Sequence, residues 1–334
     1  MYPLKKLPIC IFLGIGLLWL ANNGNAQTKV QALIPRDEIV LPDVKGGFDL
    51  MAYDFLHQRL FLSAQDNHSI EVIDLKYNKP IKSLAGFNEP KWVFYHPETN
   101  VLYVATGRDG KVTAVDAATY QKIKTYVFKE ACNNLRYDKL TNQLFVGIGH
   151  TFGAIGIIDL NTHKISRQIP LAGFPKQFEL TPDRIYVNEP SKSLIEVIDR
   201  KTNKIIASWP VKSDKDNVPM AIDRAKQRLY IGCAGGRLLV FSMTSGKELS
   251  RIAIPKDVDG IYLDSKRSRL YVSCGEGFLD VFSIQKDELS LVQQMRTRRG
   301  AGTGLFIPIA NLYVLAEPQN EILPAALRIF QPAL

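Results

Sequence analysis

A strand-forming aromatic residue returns along this chain with a nearly fixed period. Phe61, Tyr103, Phe145, Tyr186, Tyr230, Tyr271 and Tyr313 each sit in a Leu-Tyr-Val-like run, at spacings of 42, 42, 41, 44, 41 and 42 residues. About a dozen residues after each anchor comes a second apolar run with an Ile-Asp-like or Phe-Ser-like end. A period in the low forties made of short strand-patterned runs marks four-stranded propeller blades. The expected fold is therefore all-β, a seven-bladed β-propeller.

The second repeat shows the pattern within a blade. Lys91 to Tyr95 reads as the inner strand, Val101 to Ala105 as the next, Lys111 to Asp116 as the third and Lys122 to Phe128 as the outer one. Polar turns such as Leu160-Asn161-Thr162-His163 separate strands three and four. The blades fall at about 49–84, 91–128, 134–171, 176–211, 219–254, 260–295 and 303–331. The last repeat lacks an outer strand, and Asp37 to Leu41 at the other end of the chain resembles one. Pairing that segment with the seventh blade closes the ring and removes its open sheet edges. Residues 27–334 then make a single domain.

Residues 1–26 read as a secretory signal peptide. Lys5 and Lys6 precede an apolar run from Ile9 to Ala21, and Gly24-Asn25-Ala26 supplies small residues for cleavage. The run is short for a membrane span, and no second one follows. The expectation is an exported chain, periplasmic or extracellular, monomeric and without a transmembrane segment once processed. Export leaves Cys132, Cys233 and Cys274, an odd count without any Cys-x-x-Cys spacing, expected as buried apolar thiols.

The repeats resemble the YVTN-type seven-bladed propellers, related to the propeller domains of quinoprotein amine dehydrogenases and cytochrome cd1. The matching elements are Asp138-(x)6-Phe145-Val146, Asp223-(x)6-Tyr230-Ile231 and Asp264-(x)6-Tyr271-Val272, with Ile158-Asp159-Leu160-Asn161-Thr162 and the strand-entry prolines Pro90, Pro175 and Pro219. The resemblance implies the fold and an extracytoplasmic setting, and brings no common catalytic set.

The formal net charge is +9. Propeller connectivity places the inter-blade loops and the turns between strands two and three on one face, where Lys/Arg and Asp/Glu balance. The basic excess falls on outer strands and their turns, where lysine guards sheet edges, so no nucleic-acid partner is expected. No nucleotide loop or nucleophile elbow is present, and Lys212 to Asn217 lacks the glycine and final glutamate of a calcium loop. No catalytic residue, metal site or cofactor is predicted.

Ligand-face candidates are Arg298 and Arg299 in the Arg-Thr-Arg-Arg-Gly loop, Lys91 and Lys176 at blade entries, and His68 and His150 on loops. Paired arginine donors suit carboxylate or phosphate. Aligning the inner strands puts Ala52, Phe94, Arg136, Glu179, Ala221, Tyr262 and Phe306 at one equivalent position. Only Arg136 and Glu179 are charged there, with opposite signs on neighbouring blades, so a channel ion pair is expected. The reading is an exported, non-catalytic binding or interaction protein that takes a protein or small-molecule partner at the channel mouth. The alternative is a lactonase-like or quinoprotein-related enzyme or cofactor-binding protein with its site at the same place.

Overall fold

The computed structural model describes residues 31–333 except 151 and 287. Residues 1–26, read above as a signal peptide, lie outside the described residues. Seven four-stranded antiparallel sheets follow one another along the chain, and the described residues contain no α-helix. The protein is a seven-bladed β-propeller.

Within a blade, burial is greatest in the second and third strands, less in the channel-lining inner strand and least at the rim, and the sequence follows it. The second strand of blade 1, Arg59–Ala64, is buried at every residue after Arg59. The outer strand Lys79–Ala85 exposes all but Leu84 and is lysine-rich. Strands buried on both faces read as continuous apolar runs, and half-exposed ones do not. The periodic aromatics lie in the second strands, each at most 5% exposed. They fill the seams between blades: Phe61 meets Tyr95 of blade 2 at 5.8 Å, and Tyr271 meets Phe306 of blade 7 at 5.2 Å. Tyr313 instead turns back to Tyr262 and Tyr271 of blade 6, so the seam between blades 6 and 7 holds two of these aromatics and the seam between blades 7 and 1 is aliphatic.

The aspartates of the repeat are turn caps. Asp54 Oδ1 accepts the backbone N–H groups of Leu56 and His57 at 3.1 and 3.2 Å. Asp159 Oδ1 accepts those of Asn161 and Thr162 at 2.8 and 2.9 Å. A carboxylate that accepts amides at the turn fixes the chain reversal locally.

The N-terminal strand closes the ring. Leu33–Leu41 lies antiparallel to Ala325–Pro332, with Asp37 opposite Ile329 and Leu41 opposite Ala325. The strand starts four residues before Asp37, where the sequence reading began it. Pro35 lacks an amide and the register shifts between Pro35 and Asp37, so a bulge carries pairing past a residue that punctuates the sequence. Leu33, Ile39 and Leu41 are buried against blades 6, 7 and 1.

Candidate ligand site in the central channel

The inner strands of blades 2, 3, 5 and 6 enter with register shifts, between Pro90 and Trp92, Cys132 and Asn134, Asn217 and Met220, and Val258 and Gly260. A bulge inserts one residue and re-aims its side chain. Lys91, Asn133, Val218 and Asp259 sit at those shifts. With Asp49, Lys176 and Thr303 they occupy one equivalent position in the seven blades, three residues before the aligned inner position. All seven line a single polar cavity of about 190 Å³ at the channel mouth. The collar reads Asp, Lys, Asn, Lys, Val, Asp, Thr around the ring, with formal charges that cancel.

The collar's carboxyls are held above their ordinary range. Burial raises Asp49 to about 7 against the pull of Lys91, with Asp259 adding to the rise. Burial likewise raises Asp259 to about 6, helped by neighbouring Asp257 and opposed by Lys176 and Lys91. Enclosure therefore outweighs two ammonium groups. Lys91 Nζ is already shared between Glu89 Oε1 at 2.7 Å and Gln65 Oε1 at 2.8 Å. Asn134 is 5% exposed, and its side-chain amide donates to the Lys176 carbonyl at 2.9 Å while its Oδ1 has no partner. Two carboxyls and an unused amide oxygen make the mouth rich in acceptors.

Below the collar lies a chamber of about 560 Å³ whose wall includes Trp92, Phe94, Tyr53, Tyr95, Tyr137 and Tyr262. Arg136 and Glu179 meet in this wall: Arg136 Nη2 and Nε donate to Glu179 Oε1 at 2.9 and 3.1 Å. The guanidinium carbon stands 4.3 Å from the centre of the Trp92 ring and 5.6 Å from that of Phe178. The two side chains are 16% and 20% exposed, so channel water reaches the pair. Tyr262 donates to the Gly304 carbonyl.

The ligand-face candidates separate. Lys91 and Lys176 stand in the collar. Arg298 is bound into the ring closure, with Nε on Glu317 Oε2 at 2.9 Å, Nη2 on Glu38 Oε1 at 3.4 Å and Nη1 on the Pro324 carbonyl. It neutralises a nearly buried carboxylate rather than waiting for an anion. Arg299 is exposed on the same loop, apart from the channel cavities. His68 is exposed and its Nδ1 accepts the Glu89 amide at 3.3 Å, and His150 is exposed at a loop. Among the described residues no three His, Cys, Asp or Glu side chains gather as a metal site. Asp49, Asp259 and Asn134 were not singled out from sequence. For the two aspartates the available signal was the position three residues before the aligned inner-strand residues; Asn134 lies one residue further along its strand.

Comparison with solved structures agrees with this ring. A chain of hydrazine synthase from Kuenenia stuttgartiensis superposes with a TM-score of 0.73 at 16% identity, covering 88% of this chain and 97% of that one. A chain of a mitotic checkpoint complex superposes with a TM-score of 0.74 at 11% identity, covering 98% of each. The likeness is one of fold. No protein-family model matches the chain, and no curated protein matches it in sequence.

Proposed function

We propose that this protein is an exported, non-catalytic binding protein of the YVTN-like kind whose ligand enters the central channel through the collar. The observation that carries the reading is the stacking of an acceptor-rich mouth on an aromatic chamber along one axis. The chamber is of the size that encloses a small organic molecule. Its aromatic rings suit a flat apolar body, and Asp49, Asp259 and Asn134 suit a polar end that donates hydrogen bonds.

Native mass spectrometry of the protein purified from its own host tests the reading. A non-covalent small molecule should accompany the parent and be lost from Trp92→Ala, which removes chamber wall, and weakened in Asp49→Asn. An adduct retained unchanged by both variants would place the ligand elsewhere. The enzyme reading rests on one observation, the Asp49 carboxyl at about 7, where a general base works best. Turnover of the co-purified molecule, lost in Asp49→Asn while binding survives, would replace binding by catalysis.

A further inference from the structure

We propose that the face opposite the collar docks onto an anionic lipid surface. In a four-stranded antiparallel meander the turns between strands one and two, and between three and four, share this face.

On three successive blades the far-face turns repeat one composition. Residues 199–204, 223–228 and 264–269 each hold one aspartate and three basic residues. The aspartates are turned inward as caps: Asp199 Oδ1 accepts the Thr202 amide at 2.8 Å, Asp223 Oδ1 that of Lys226 at 2.9 Å and Asp264 Oδ1 that of Arg267 at 3.2 Å. Lys201, Lys204, Arg224, Lys226 and Lys266 are exposed. In these three turns the cations point outward while the aspartates are taken up by capping; Asp183 and Glu288 are exposed acids on the same side, so the basic residues prevail without standing alone. On blades 7, 1 and 3 the corresponding turn tips are apolar. Ile309 is 73% exposed, Leu56 60% and Leu140 83%.

A face that is basic on one side and tipped with isolated apolar side chains on the other matches the chemistry of a bilayer interface. Lysines near the surface meet acidic head groups, and apolar tips enter the boundary beneath them. A nucleic-acid backbone would satisfy the cations and leave the tips in water. Where the two halves meet, between blades 6 and 7, a groove of about 650 Å³ is lined by Arg36, Lys266, Phe306, Pro308 and Ile309. Arg267 in the same groove is occupied by the Ala333 carbonyl, Asp264 and Asn311. Lys266 and Arg36, both exposed, are the cations that face a head-group phosphate there, Arg36 with its Nη2 donating to Gln331 Oε1 and its other donors toward solvent, with Ile309 beside the glycerol end.

Vesicle flotation decides the matter, using phosphatidylcholine vesicles with and without phosphatidylglycerol. The parent should float only with the acidic vesicles and be released by salt. Lys226→Glu with Lys266→Glu should weaken binding by about tenfold or more, from the attraction of each lysine to an anionic surface. Leu140→Asp with Ile309→Asp should weaken it as well. All four side chains are exposed, so melting temperatures should match the parent and exclude misfolding. Absence of flotation with acidic vesicles overturns the proposal and leaves a protein occupant for this face. Binding to heparin as tight as to vesicles, unchanged by the tip substitutions, overturns it in favour of a general polyanion surface.

Discussion

Deletion of residues 31–42 should open the ring and abolish most of the stability of the fold. The deletion removes Leu33, Ile39 and Leu41, each at most 2% exposed, and eight paired positions along Ala325–Pro332. Burial of three such side chains contributes about 4.5–9 kcal/mol, taking roughly 1.5–3 kcal/mol for each. A folded domain of ordinary stability holds only about 5–15 kcal/mol in total. The loss also bares the edge of Ala325–Pro332, a template for pairing with another chain. Urea unfolding of the truncated chain should therefore show a collapsed midpoint with concentration-dependent association. A truncated chain with the midpoint and slope of the parent would disprove the contribution assigned to this strand.

Glu189→Gln should stabilise the protein at alkaline pH and flatten its pH profile. Glu189 is fully buried at the end of the second strand of blade 4, beside the Glu196 carboxyl and the Gly173 amide, with neither oxygen in a well-formed hydrogen bond. Burial pushes its carboxyl well above the ordinary range, and the neighbouring Glu196 pushes it further, against weaker pulls from the Gly173 amide and Lys192. Glu196 is itself 3% exposed and is met by the Ala172 amide at 3.4 Å and the Ser208 hydroxyl at 3.5 Å. The fold thus favours protonated Glu189. For an acid raised in the folded state, the stabilisation is complete below the unfolded pKa and disappears as pH climbs through the folded one. Asp49 at about 7, Asp259 at about 6 and Asp280 at about 6 act in the same direction. The parent's melting temperature should fall between about pH 5 and pH 9, while the glutamine variant keeps the neutral shape and gains about 1–3 kcal/mol at the alkaline end. Parallel profiles for the two proteins would disprove the assignment.

The ring was legible because its cause repeats. Each blade buries one large aromatic from its second strand against a neighbouring blade, so Phe61 through Tyr313 return with the blade. Register alignment likewise brings Arg136 and Glu179 to neighbouring strands, and the distance between them is set by one blade-to-blade step. The collar was harder to read. Asp49 and Asp259 are 210 positions apart, and Asp259 faces the axis because a bulge turns it there. Bulges leave no composition of their own in a strand entry. Arg298 misleads for the opposite reason: an arginine in a glycine-rich loop looks free until Glu38, from the far end of the chain, folds beside it.

Three thiols sit inside this ring without a partner among them. Cys132 begins the inner strand of blade 3, and Cys233 and Cys274 end the second strands of blades 5 and 6, all at 0% exposure. Burial raises Cys233 to about 12 and lifts the other two in the same direction, so thiolate, the reactive form, is scarce in the closed protein. Chemical modification of each sulfur must wait for its own blade to come apart. The three cysteines are in effect clocks set in separate blades: equal labelling rates would mean that the propeller opens as a whole, and unequal rates would give the order in which its blades let go.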